Sequence, residues 1–346
     1  MEKISVFIIN YNGMRTIRET IRSLYAQKKV ELTIQVIDDG STDGSLEMVN
    51  EEFPEIVCHV QPENTAQLNK LRNIAIHLAQ TEYLLVSDND IVFDEKCVCE
   101  LFRGMGSDPN VAICTPKLMF LDDRSRIYSG NTKMHFVAAA ISPDRGHRSS
   151  AFVSAKTLQS GGGILLIRKE AVASLGGFDE DYKMAWGDDG ELYQRLLLSG
   201  MKCFYIQAAF AYHENKPFSP ARRYRASGQV YNRWLYIMTQ YSFRTIFFLL
   251  PALFLYEVLQ CCFMSTKGMF FLYVRTNCEV LGSLPLFLKK RGAIQKRREV
   301  SDRDIVFSGP IYVSPSVLKK SAIVKIAMDS LNVFYGLYWK AVRVLL

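Results

Sequence analysis

Residues 84–90, LLVSDND, decide how the chain is read: an apolar run of strand-forming residues ends in Asp88, Asn89 and Asp90. Carboxylates two positions apart at the end of a strand can both reach one divalent ion and its waters. An oxygen-rich site of that kind suits magnesium or manganese carrying a diphosphate. An ordinary capped turn tolerates the same residues. Outward from this stretch the chain alternates. Ile4 to Ile9, Leu32 to Ile37, Ile56 to Val60, Tyr83 to Ser87 and Val111 to Cys114 are rich in Ile, Val, Leu and Tyr, which predicts strands. Thr16 to Gln27, Asp43 to Glu52 and Gln67 to Gln80 repeat apolar residues at three- and four-residue spacing, which predicts helices. Strands and helices in alternation predict an α/β fold with a mainly parallel sheet covered on both faces, its ligands bound at the carboxyl ends of the strands. Residues 117–158, rich in Asp, Arg, Ser and Gly, lack a period and read as an irregular insertion near a site. The pattern resumes with a strand over Ile164 to Arg168, a short helix ending at Gly176 and Gly177, and a helix from about Gly190 to Ser199 stopped by Gly200.

Two further acidic clusters stand at predicted element ends. VIDDGSTDGS, residues 36–45, places Asp38 and Asp39 directly after the second strand. A carboxylate there can accept hydrogen bonds from a base N–H or ribose hydroxyls, and the helix N-terminus that follows favours anions. The same residues are common turn and cap formers. In WGDDGEL, residues 186–192, Asp188 and Asp189 precede a helix whose apolar face includes Leu192, Leu196 and Leu197. One of them can serve simply as N-cap. Two adjacent acids can instead supply a general base, because neighbouring negative charge raises a carboxylate's proton affinity. His213 follows the predicted Cys203 to Ile206 strand, and only its place after the acidic clusters makes it a candidate metal ligand. G-x-G-x-x-G after the first strand, G-x-x-x-x-G-K-[ST] and H-E-x-x-H are all missing, so dinucleotide oxidoreduction, P-loop hydrolysis and zinc proteolysis lose support.

The 346 residues carry two different charge balances. Residues 1–218 hold 23 Lys and Arg against 29 Asp and Glu, whereas residues 219–346 hold 19 against 6. An acidic domain followed by a basic, apolar region predicts a boundary near residue 218 and an anionic membrane surface, rather than nucleic acid, as partner of the second part. Thr245 to Thr266 contains one charge, Glu257, and as a helix would measure about 33 Å, the thickness of a bilayer core. Pro251, Glu257 and Gln260 argue instead for helices lying in the interface. Lys289, Lys290, Arg291, Lys296, Arg297 and Arg298 form a cluster of the kind drawn to anionic lipid, and Val317 to Leu346 reads as a further amphipathic helix. A helical oligomerisation domain with a solvated basic face fits the same composition. The eight cysteines lack zinc-ligand spacing and the N-terminus begins a strand rather than a secretory signal, so a reduced, cytoplasm-facing protein is expected.

Taken together, the ordered blocks resemble the family 2 glycosyltransferases, inverting enzymes of the GT-A fold, over roughly residues 3–218. SVFIINYNG resembles the opening nucleotide-binding strand, with Tyr11 and Asn12 in the familiar positions; VIDDGSTDGS resembles the base- and ribose-binding turn, with Asp38 and Asp39. LRNIAI looks like the helix whose Arg72 and Asn73 lie near the donor, although the glycines usual before that pair are replaced by ENTAQLNK. By the same resemblance SDND is the D-x-D element, so that Asp88 and Asp90 would contact the ribose and the diphosphate-bound metal, and GGGILLIRKEA followed by GGFDEDY is the acceptor side. It further implies Asp189 as catalytic base, Asp188 as its neighbour in place of the commoner Glu, and His213 as metal ligand. The activity implied is transfer of a sugar from a nucleotide-diphosphate sugar, with magnesium or manganese, to a hydroxyl of a saccharide or polyprenyl-lipid-linked acceptor in cell-envelope glycan synthesis. Its expected location is the cytoplasmic face of a membrane, peripheral or monotopic, with oligomerisation possible through the C-terminal helices. A sugar nucleotidyltransferase and a non-catalytic sugar-nucleotide-binding scaffold remain as alternatives.

Overall fold

Every residue of β1 (Lys3–Asn10) after the first is buried in the computed structural model. The unbroken burial is explained by its place between two parallel neighbours, β2 (Glu31–Asp38) and β4 (Tyr83–Asp88). Val6 and Ile8 point into one core with Leu85 and Leu166, while Phe7 and Ile9 point into another with Ile37, Leu84 and Val86. The structure describes residues 2–142, 144–149, 163–183, 186–214, 222–311 and 322–346.

Between the strands run α1 (Ile17–Tyr25), α2 (Ser45–Glu52), β3 (Val57–Val60), α3 (Leu68–Leu78), β5 (Ile91–Phe93) and α4 (Cys97–Met105). β6 (Val111–Phe120), β7 (Ile127–Ser129), β8 (Lys133–His135) and β9 (Ala139–Ile141) follow. Then come β10 (Ile164–Arg168), α5 (Lys169–Ser174), α6 (Gly190–Leu198) and β11 (Lys202–His213). Helices α1, α2 and α4 cover one face of the sheet and α3, α5 and α6 the other. Among the described residues the main sheet runs in the order β3-β2-β1-β4-β10-β6-β11-β5, with β7 paired to β6. The half from β3 to β4 is parallel as expected. The other half is mixed, because β10 is antiparallel to both β4 and β6. A strand reached through the long 121–163 connection is free of the crossover geometry that a short helical return imposes.

Two expectations need correction. The 117–149 part of the expected irregular insertion is interrupted by strands: β6 continues to Phe120, and the short β7, β8 and β9 follow among turns. These strands are three residues long except for β6, too short for any period to show. Residues 143 and 150–158 of that stretch lie outside the described residues. The strand expected over Cys203 to Ile206 extends to His213, past a register shift between Ile206 and Phe210 that broke its pattern in the sequence.

Beyond residue 221 the described residues are mainly helical: α7 (Arg222–Gln240), α8 (Phe243–Thr266), α9 (Phe270–Gly282), α10 (Leu284–Lys296), the single turn α11 (Asp302–Ile305) and α12 (Ala322–Val342). The expected boundary near residue 218 falls outside the described residues. These helices share a third core with the β8–β9 hairpin, in which Phe136 and Val137 pack with Tyr236, Leu249, Tyr335 and Trp339. Ser242 caps α8 by accepting from the Thr245 N–H at 3.0 Å. Among the described residues α8 is the one helix long and apolar enough to cross a membrane. All eight cysteines are free thiols.

Candidate functional site

At the carboxyl end of β1 the fully buried Asn10 holds three segments together. Its Nδ2 donates to Asp38 Oδ1 at 2.7 Å, Ser45 Oγ at 2.9 Å and Ser41 Oγ at 3.2 Å, and its Oδ1 accepts from Asn89 Nδ2 at 2.7 Å. Asp38 is also fully buried, accepting from the Ser41 N–H at 2.9 Å and Ser41 Oγ at 2.6 Å, and so shapes the turn that follows β2. A Cβ at Gly40 would stand 2.8 Å from the Asn64 nitrogen, so the 63–67 loop lies directly on that turn. Asp39 fastens the same loop by accepting from the Thr65 N–H at 3.0 Å. Asn12, at φ 49°, donates its N–H to Ser41 Oγ and accepts from the Thr42 N–H, both at 2.9 Å. The neighbouring Tyr11 ring is about half exposed, a flat apolar surface at the rim of a polar turn.

The second cluster joins α3 to the loop before α6. Arg72, buried, donates from Nη1 to Asn69 Oδ1 at 2.9 Å and Asp188 Oδ2 at 3.2 Å, with its guanidinium 5.3 Å from the Phe178 ring centre. Asn69 Nδ2 donates to the carbonyls of Asp179 and Asp188 at 2.9 and 2.7 Å. Asn73 pairs with the Phe178 backbone, accepting its N–H at 2.7 Å and donating to its carbonyl at 2.9 Å. The polar groups of Arg72 and Asn73 are thus engaged with loop 178–188. One guanidinium serves several acids here. Burial pushes the Asp188 carboxyl up to about 6; Arg72 opposes this, while Asp189 and Asp88 add to it. Burial works against the Arg72 charge, but Asp188, Asp189 and Asp88 outweigh it and hold that guanidinium above its ordinary value. Asp189 is the N-cap of α6, accepting from the Gly190 N–H at Oδ1, 2.8 Å away. The cap bond engages that oxygen.

The third cluster sits where the turn after β4 leads into β5, which pairs with the far end of β11. Pairing of Ile91 with His213 across β5 and β11 brings the imidazole Nε2 to 3.5 Å from Asp90 Oδ2. The ring is held from both sides: Nδ1 lies 2.6 Å from the Glu214 carbonyl, and Tyr128 stacks on it at 4.4 Å. Asp88 pairs its N–H with the Gly163 carbonyl at 2.9 Å, and a Cβ at Gly163, whose φ is 63°, would fall 2.6 Å from Asp88 Oδ2. A facing imidazole nitrogen and carboxylate oxygen form a donor pair that manganese or magnesium accepts. Among the described residues no three His, Cys, Asp or Glu side chains close on one point. Such an ion would therefore take its remaining ligands from water and substrate oxygens, as a six-coordinate hard cation does. The residues fit a divalent ion held in that open manner.

A cavity of about 400 Å³ lies between loop 175–181, Arg195 and Lys290 of α10, and none of Asp39, Asp90 or Asp189 lines it. Sequence reasoning missed Asn10, Asn69 and Asn232. Asn232, buried in α7, accepts from the Lys183 N–H and donates to the carbonyls of Lys183 and Trp186, clamping the loop just before Asp188. Asn10 at the end of an otherwise apolar strand was a readable signal. Asn69 and Asn232 occur in helices whose partners are remote in sequence.

Two family models match the chain. The model described as Glycosyl transferase family 2 matches residues 5–173, and the one described as N-terminal domain of galactosyltransferase matches residues 152–216. Chondroitin synthase of Escherichia coli is 26% identical over 257 residues, 66% of this chain and 37% of that protein. Poly-beta-1,6-N-acetyl-D-glucosamine synthase of Staphylococcus aureus is 26% identical over 196 residues, 54% of this chain and 45% of that one. The chain therefore spans less than half the length of these relatives. In fold it is similar to the mannosyltransferase PcManGT of Pyrobaculum calidifontis, solved with GDP-Man and Mn2+, with TM-score 0.52 and 16% identity over 99% of this chain and 86% of that one. With a mixed GT-A sheet and these matches, residues 5–173 of the chain form a glycosyltransferase family 2 region.

Proposed function

We propose that the chain is an inverting, metal-dependent glycosyltransferase. It takes a sugar from a nucleotide-diphosphate sugar and places it on a hydroxyl of a saccharide or lipid-linked acceptor, in cell-envelope glycan synthesis at the cytoplasmic face of a membrane. The observation that carries the reading is the Arg72–Asp188 ion pair, 3.2 Å apart, which ties α3 to the acid pair of the α6 loop, with the charges of Asp189 and Asp88 also acting on the same guanidinium. The names of the two synthases and of the manganese-bound mannosyltransferase support the donor, cation and glycan in general terms. Tyr11, Asn12, Asp38 and Asp39 would form the nucleoside side, the ring stacking on the base and the turn fixing the ribose. Arg72 and Asn73 would act there through the loop they hold. Asp90 and His213, with Asp88 alongside, would hold the divalent ion, which when bound offsets the charge that builds on a departing diphosphate. Asp189, with Asp188 as neighbour, would take the proton of the acceptor hydroxyl as its oxygen attacks the anomeric carbon from the face opposite the diphosphate. One displacement inverts that carbon. The basic C-terminal region would keep the site at an anionic membrane surface.

A melting-temperature panel of sugar nucleotides with and without manganese tests donor and cation together, since a ligand that binds the native state alone raises the melting point. Asp189→Asn is expected to lower turnover by on the order of a hundredfold or more while leaving the donor-induced shift intact. Unchanged turnover would remove Asp189 from the role.

A further inference from the structure

The helical half leaves one face uncovered. Phe247, Leu250 and Phe254 of α8, Phe271 of α9, and Val333 and Leu337 of α12 are exposed, Phe254 by 71% and Phe271 by 85%. The three α8 residues recur at three- and four-residue spacing and so form a single stripe. An apolar patch on this scale marks a partner surface. The opposite stripe of α8, with Thr245, Leu249, Ala252, Leu253 and Met264, is buried.

That buried side is fastened to the protein along much of the helix. Tyr338 donates to the Phe248 carbonyl at 2.5 Å and Tyr335 to the Ala252 carbonyl at 3.3 Å. Arg233 pairs with Glu257, which also accepts from the Tyr273 hydroxyl at 2.5 Å. Arg233 in turn donates from Nε to the Val137 carbonyl at 2.9 Å, just after β8. Glu257, the one acid of α8, thus reaches the β8–β9 segment of the protein through a single side chain. A crossing helix needs about 30 Å of hydrocarbon around it, which this flanking protein would have to enter. The exposed charged residues on or just after these helices are mostly basic: Arg244, Lys267, Arg275, Lys325, Lys340 and Arg343, against Glu279 and Asp329.

We infer that α8, α9 and α12 form a monotopic seat that lies in the plane of one anionic leaflet, its aromatic stripe among the acyl chains and its basic residues at the headgroups. The inference rests on the membrane placement proposed above and adds its geometry: α8 does not pass through, and both chain ends stay on the catalytic side.

The test uses the full chain carrying a tag at each end, mixed with sealed vesicles of phosphatidylcholine and phosphatidylglycerol at about 7:3. The protein is expected to float with the vesicles, less so at high salt, and external protease is expected to remove both tags. The double variant Phe254→Asp, Phe271→Asp should lose about tenfold or more of the bound fraction with an unchanged melting temperature. Protection of the C-terminal tag alone would overturn the seat in favour of a crossing. A wild-type chain that ignores vesicles, yet forms a dimer that the double variant dissolves, would overturn it in favour of a second copy as occupant. Nucleoside diphosphate released from donor in the same samples scores the transfer reading separately from the seat.

Discussion

Asp188 carries a conflict that a pH titration can expose. Its carboxyl is buried beside Asp189 and Asp88 and shares one guanidinium with them, so it holds its proton up to about pH 6 instead of the ordinary 3.8. For an acid whose value is raised on folding, the stabilising contribution is complete below the unfolded value and is lost as pH rises through the folded one. Wild type should therefore lose on the order of 3 kcal/mol of unfolding free energy relative to Asp188→Asn between pH 4 and pH 7. Urea unfolding of both proteins across that range checks it, and parallel curves would show that Asp188 is ionised throughout. The residue types at these positions were legible in the sequence. Which of them face solvent was not, because the partners of Arg72 lie 116 residues away at Asp188 and one helical turn away at Asn69.

Elements were easiest to read where a pattern had room to repeat. The helices α1, α2 and α3 and the strands β1 to β4 lie within a few residues of their expected bounds because each spans enough of its period to show it. The three-residue strands β7, β8 and β9 offer no period, and β11 is broken by its bulge. What aligns the elements around the site is also hidden from periodicity: one asparagine at the end of β1 satisfies the turn after β2 and the turn after β4 at once. Asn10→Ala would leave Asp38 short of a donor and remove the acceptor of Asn89 Nδ2. Loss of a buried polar hub of this kind should cost about 2–4 kcal/mol in urea unfolding. The variant should also weaken donor binding, since Asp38, Asn12 and the 63–67 loop all depend on the same turn. Full stability with normal donor binding would mean that the strand ends are aligned by the sheet alone.

At the scale of the whole molecule the charge shift near residue 218 suggested two parts, yet the contacts describe a protein whose helical half is built into its catalytic half. Asn232 clamps the loop before Asp188, Lys290 bridges Asp179 and Asp181, and Arg233 connects Val137 with Glu257. Each link is a buried or half-buried polar contact, the kind that becomes costly when one partner is removed. Arg233→Met should strand Glu257 beside apolar residues and cost about 3–5 kcal/mol, whereas adding Glu257→Leu should recover most of that loss, because two well-packed apolar residues replace the ion pair without leaving a charge behind. Whether the two halves melt separately decides what the loss means. With the link intact, tryptophan fluorescence and far-ultraviolet circular dichroism should report one coincident urea transition, and Arg233→Met should move both probes together. If fluorescence and dichroism instead separate in the wild type, with the variant shifting only the helical transition, the charge shift near residue 218 marks two independently folding units and the catalytic loop does not depend on α7 for its position.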